Sequence, residues 1–382
     1  MDHHQPTRSA PRNRASLIIL IVLAFLLMAA AVVLVVSLPD NSAWQDSTET
    51  ADALDVAGTG FACEAAEAQQ FYPFGTGVMK LTGTRIAMLD IQGIESYGVD
   101  VTYAAPFCVK NDSFFLAADR NGHAFVMLDA GGELFRGTLN GRISGASISP
   151  DGYLALVQDQ NSSTGVISIY APVTGDKLFD CYFPESGYAL SVSFPPEGGC
   201  FDVALINTSA STAKPIVNRY SLKGEQLGQW RPELSDLYPL IEYDPDQNPV
   251  LCGAASCAAI SSENGSVLWQ KNFQQILAAR TARTGLLVLA ADRMDGSCNL
   301  FLIKANGQSS SGMAIGDAIT NLAVLENFAA MGSGTRVVVV DAGKDEVIID
   351  QEMKAEVIRV GFADAKTLTI VTRTGVRRLS IN

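Results

Sequence analysis

The sequence predicts an all-β fold, a β-propeller of four-stranded antiparallel blades preceded by one transmembrane helix. Eight strand-like segments recur at spacings of 39, 42, 50, 40, 43, 37 and 39 residues, the period of propeller blades. Seven of the eight carry a turn glycine three to five residues after a shared apolar position. An uncharged apolar run of 22 residues, Leu17 to Leu38, precedes the repeats. The chain has 382 residues, 48% of them apolar and 18% charged. That balance supports a large core and excludes both disorder and a small disulfide scaffold.

Residues 1–16 read as a cytoplasmic tail too short to fold. At 1.5 Å of rise per residue, residues 17–38 make a helix of about 33 Å, enough to cross the hydrocarbon core. A cleaved signal peptide has an apolar region of only about 7–15 residues, so length favours an anchor. The first cysteine is Cys63, too distant from the run for a lipoprotein anchor. Arg8, Arg12 and Arg14 precede the run, whereas Asp40, Asp46, Glu49, Asp52 and Asp55 follow it before any Lys or Arg. This asymmetry places the N-terminus in the cytoplasm and the remainder outside, at the cell membrane. Without the three arginines and one aspartate of the tail, the totals of 27 basic and 40 acidic residues become 24 and 39, a net of −15 outside. So acidic a domain excludes nucleic acid as a partner, because phosphate neutralisation needs clustered Lys and Arg.

Residues 39–60, rich in Ser, Thr, Asp, Ala and Gly without apolar periodicity, read as a flexible stalk. Residues 61–382 read as the propeller, with CEAAEAQQF (63–71) as a short helix that needs packing to persist. The apolar position before each turn falls at Leu89, Leu128, Tyr170, Tyr220, Ile260, Ile303, Val340 and Leu379. The turn glycines are Gly93, Gly132, Gly175, Gly224, Gly265, Gly307 and Gly343. The repeats are strand-like, with alternation and β-branched runs such as 337–340. In the third repeat, SGASIS, YLALVQ, VISIYA and KLFDCYF write out one blade. The final repeat supplies VIRVGFA, TLTIVTR and GVRRLSI but no fourth strand, so a segment within residues 56–77 is expected to complete it and close the ring. Eight blades are predicted, with seven as the alternative.

CAAISSENGSVLW (257–269) resembles the quinoprotein repeat A-x-D-x-x-T-G-x-x-x-W at Ala259, Gly265 and Trp269, with Ser261 and Asn264 in place of its Asp and Thr. The chain therefore resembles the quinoprotein-like and WD-repeat propeller superfamily, in which the Trp docks one blade on the next. With the anchor included, residues 17–382 look like a family of single-pass membrane proteins with an extracytoplasmic propeller, found in Gram-positive anaerobes and without an assigned activity.

The chemistry-bearing residues are few. His123 is the one histidine beyond the tail, in DRNGHAF near Asp119 and Asp129. No nucleophile motif accompanies it, so it reads as an exposed hairpin residue rather than a general base. The adjacent Cys-Cys pair of alcohol-oxidising quinoproteins is missing. Asp244-Pro-Asp246-Gln-Asn248 begins like a calcium loop, but Pro249 and Ala255 stand where Gly and Glu are needed, which favours a polar turn. The seven cysteines (63, 108, 181, 200, 252, 257 and 298) contain no C-x-x-C. Cys252 and Cys257 flank a four-residue connection that could set them opposite one another, in a compartment that permits a disulfide, while buried free thiols suit most of the seven. No catalytic, cofactor-binding or metal-ligating residue is assigned, and no cofactor is expected.

The expected function is a non-enzymatic interaction or scaffolding module at the cell envelope, docking a protein or envelope component. The alternative is a ligand-binding sensor or enzyme with a carboxylate-lined site in the central channel. Oligomeric state is left open.

Overall fold

The computed structural model describes residues 55–381 apart from 162–163, 184–187, 208–213 and 293. The expected membrane helix at 17–38 lies outside them; among the described residues no helix is long and apolar enough to cross a membrane. Strands are numbered β1 to β32 in chain order and form eight four-stranded antiparallel sheets, so the blade number is eight rather than seven. The first strand of each blade lies innermost, against its neighbours in the adjoining blades. These inner strands are β2 (Gln69–Phe74), β6 (Pro106–Lys110), β10 (Arg142–Ile148), β14 (Tyr188–Ser193), β18 (Leu240–Tyr243), β22 (Gln275–Ala282), β26 (Ile319–Leu325) and β30 (Val357–Asp364).

The second and third strands of a blade are covered on both faces by neighbouring blades. They therefore read as continuous apolar runs, as in β20 (Ser256–Ile260) and β28 (Arg336–Asp341), whose interiors are buried throughout. Outer strands alternate instead: β21 (Val267–Asn272) buries Trp269 between exposed neighbours. The core is accordingly divided into eight apolar clusters, one between each pair of adjoining blades.

An aromatic on an outer strand sits on the turn glycine of the following blade. A β-carbon at Gly265 would lie 2.5 Å from Trp230, and one at Gly307 would lie 2.7 Å from Trp269. Both glycines also have left-handed φ, 72° and 78°, so backbone and packing exclude a side chain there together. Trp269 Nε1 donates to Ala305 O at 2.9 Å, as expected of the docking residue. Phe135 covers Gly175, and Phe179 covers Gly224, in the same way. Gly343 departs from the expected role: its backbone is not left-handed, and in that turn the positive φ of 57° falls on Asp345. An acidic turn residue tolerates that conformation, so glycine is not required.

The ring closes as expected. β1 (Asp55–Ala62) is the outer strand of the last blade, antiparallel to β32 (Gly375–Ser380), with Gly60 opposite Arg377 and Ala62 opposite Gly375. β1 begins within the stretch read as a stalk. Its Phe61 covers Gly93 of the first blade, so the N-terminal strand supplies both the missing ladder and the missing aromatic. The helix expected at 63–71 is not formed. Cys63 and Ala65 donate backbone N–H groups to Thr374 O and Arg373 O, and Ala66 bridges to Gln69. Buried Ala65 and this pairing to the closing blade outweigh the helix propensity of so short a segment.

Candidate functional site

A cavity of about 830 Å³ lies within the ring of inner strands, toward the turns that link each inner strand to the second strand of its blade. Its charged lining comprises Lys110, Arg280 and Arg359 with Asp112, Glu242 and Asp364. The lining therefore sets three carboxylates against three cations rather than carboxylates alone. The acidic surplus of the chain is spread elsewhere, because residues facing the axis come one or two per blade and need not share its average charge.

One wall is cationic. Arg359, on β30, donates to Phe71 O at 2.7 Å and stacks its guanidinium 3.8 Å from the Tyr72 ring centroid. Such a contact is worth about 0.5–2 kcal/mol. Burial raises the pKa of Tyr72 and pushes the adjoining Cys108 thiol up to about 11, so both stay neutral near pH 7. Burial lowers the pKa of Lys110, at the end of β6; Cys108 and Asp112 oppose that shift and the charge of Arg359 adds to it. Three successive blades thus present Arg359, Tyr72 and Lys110.

The opposite wall is self-satisfied. Glu242, on β18, accepts the Thr281 N–H at 2.9 Å, lies 2.8 Å from the Thr281 hydroxyl and pairs with Arg280 at 3.3 Å. The Thr281 hydroxyl also accepts the Tyr243 N–H at 3.0 Å, which stitches β18 to β22. Asn321 joins β26 to β30 through reciprocal 2.9 Å bonds to Val360. These residues position the wall, and their hydrogen-bonding groups are already engaged.

The residues singled out from sequence fall elsewhere. His123 is exposed, and its Nδ1 lies 3.2 Å from Leu139 O and 2.9 Å from Gly141 O, so backbone rather than a carboxylate holds the ring. Asp119 and Asp129 are occupied by the backbone N–H groups of Ala105 and of Gly131 and Gly132. Asp244 is a buried turn residue whose carboxylate accepts N–H groups from Asp246 and Asn248, an Asx-type turn rather than a cation loop. Among the described residues no three His, Cys, Asp or Glu side chains come together as metal ligands.

Cys252 and Cys257 are opposite one another across the hairpin of β19 (Pro249–Cys252) and β20, fully buried, with sulfurs 3.1 Å apart as thiols. The Gly253 N–H bond to Ser256 O closes the hairpin just beyond them. In the alternation of an antiparallel ladder that makes theirs a close, non-hydrogen-bonded pair. Treatment of the folded chain with a disulfide oxidant is expected to join these two and leave the other five alkylatable. Peptide mass spectrometry after denaturing alkylation checks this, and full alkylation of both would show the pair to be inert.

Lys110, Arg359, Glu242 and Arg280 were not legible as a set. The available signal was a charged residue on an inner strand, recurring at about one blade length, as between Glu242 and Arg280.

No curated protein matches the chain. Among solved structures, Sqt1 of Saccharomyces cerevisiae is similar with a TM-score of 0.61 at 10% identity, over 85% of this chain and 99% of that one. BamB from Moraxella catarrhalis is similar with a TM-score of 0.53 at 12% identity, over 83% and 98%. At such identities the likeness establishes the propeller fold. Residues 57–381 match the model of a family of unknown function, DUF5711, and the chain belongs to that family.

Proposed function

We propose that the chain is a single-pass membrane protein whose propeller stands on the extracytoplasmic side and serves as a non-enzymatic docking module for a protein or cell-envelope component. The observation that carries this reading is where apolar side chains remain exposed. Among the described residues they concentrate on the third to fifth blades: Leu178 and Tyr182 on β13 (Lys177–Tyr182), Tyr188 on β14, Leu227 on β17 (Gln226–Trp230), and Val267 and Leu268 on β21. Leu227 is 58% and Tyr182 56% exposed. Leu178, Leu227 and Leu268 each stand three residues after the turn glycine of their blade, so they recur at one level around the rim. Exposed apolar side chains gathered on neighbouring blades offer a surface for association, and tyrosines are enriched at such sites. The anchor and its orientation rest on residues 17–38 and the flanking charges.

Crosslinking and co-purification of the full-length protein from its native membrane tests the docking reading. A stoichiometric partner is expected, with its crosslinks weakened about tenfold or more by Leu227→Glu with Leu268→Glu. Recovery of the protein alone, where known envelope complexes survive, would overturn it. Labelling of exposed Lys223 by a membrane-impermeant amine reagent in intact cells checks the orientation, and protection until lysis would reverse it.

A further inference from the structure

The channel holds two cations that no ion pair engages among the described residues. Lys110, exposed at the end of β6, lines the 830 Å³ cavity and has no hydrogen-bond or ion-pair partner among the described residues. Arg359 gives one N–H to the Phe71 carbonyl and its face to Tyr72, and among the described residues no carboxylate pairs with it. Both line the same cavity, from the blades on either side of the one that carries Tyr72, and the Arg359 charge disfavours the protonated form of Lys110. Holding like charges together in a confined space costs free energy, in a chain whose net charge is −13. Asp112 offsets part of this cost, since its charge favours the protonated form of Lys110, but among the described residues no carboxylate is held against either cation. Glu242 is taken by Arg280 and Thr281 across the channel, Asp364 accepts the Lys366 N–H at 2.8 Å, and Asp112 stands at the turn without forming an ion pair to either cation.

We propose that this end of the channel binds a small anion with two or more negatively charged oxygens, a phosphate or a polycarboxylate, between the Lys110 ammonium and the Arg359 guanidinium. A guanidinium and an ammonium together suit such oxygens, the first through its planar fork and the second as a compact charge. The volume is that of a small-molecule site and is too small for a folded partner. The site is therefore independent of docking on the outer blades, and either can fail without the other.

The test is calorimetric titration of the full-length protein in neutral detergent, at low ionic strength and without other polyanions, using inorganic phosphate and, separately, citrate as probes. Saturable one-to-one binding of at least one probe is expected. Phosphate alone would assign phosphoryl ligands, and citrate alone would assign carboxylates. Lys110→Ala should weaken binding about tenfold or more, Lys110→Arg should retain most of it, and Lys223→Ala, exposed outside the channel, should leave it unchanged. Thermal melting of each variant separates loss of binding from loss of fold. The proposal is overturned if neither probe binds to a cooperatively melting protein, or if Lys223→Ala weakens binding as much as Lys110→Ala.

Discussion

Asp202→Ala is expected to lower the unfolding free energy by about 3–5 kcal/mol, the cost of stranding a buried charge. Asp202, on β15 (Cys200–Asn207), is fully buried and accepts Arg219 Nε at 2.8 Å and Nη2 at 2.7 Å, a bidentate pair. Arg219, on β16 (Lys214–Ser221), lies 5.1 Å from the Trp230 ring centroid. Burial works against the Arg219 charge, but Asp202 holds its pKa above the ordinary arginine value. The Tyr243 hydroxyl of the next blade is 3.0 Å from Asp202 and 3.1 Å from Ser193 O. Removing the carboxylate therefore leaves the half-buried guanidinium without its partner and the fully buried Tyr243 phenol with Ser193 O alone. Replacing both charges, as in Asp202→Leu with Arg219→Met, should recover much of the loss, because an apolar pair of similar volume needs no compensation. Urea unfolding of the two single variants and the double variant measures this. A cost below about 1 kcal/mol for Asp202→Ala would place the pair with surface ion pairs.

Trp269→Ala is expected to cost about 3–5 kcal/mol, as for other large aromatics cut from a packed interior. The ring is 9% exposed and bridges two blades, lying over Gly307 and bonding Ala305 O. Truncation opens a void between the fifth and sixth blades that neither blade can collapse into, since each is fixed by its own ladder and by its other neighbour. Trp269→Phe keeps most of the contact and loses the Nε1 bond, so about 1–2 kcal/mol is expected from that bond and the reduced packing. Thermal and urea unfolding of both variants checks the order. Equal costs would mean that the hydrogen bond, rather than packing, is what Trp269 contributes.

Architecture was legible because it depends on short-range pattern repeated many times. Gly265 and Trp269 sit in one hairpin, at the positions where the segment resembles a propeller repeat. Gly343 misled because a turn shows only its composition; which residue takes the left-handed position depends on the register of the hairpin, here shifted to Asp345. The segment 63–71 misled for a related reason. Its local preference is weak, and the decisive partners, Thr374 and Arg373, lie some 310 residues away.

The sequence by itself determined the repeat, a count of eight blades with seven as the alternative, the N-terminal window that closes the ring and the charge asymmetry about the apolar run, because each is written in neighbouring residues or in their period. Only the tertiary structure decided what shares the channel and what shares a buried network. Lys110 and Arg359 come from the second and eighth blades, and Asp202 and Tyr243 from the fourth and fifth. Ring closure brings residues of distant sequence position around one axis, and inner strands of similar pattern give no sign of which charge will face which. Their pairing follows from blade order and register around that axis, which are properties of the closed ring as a whole.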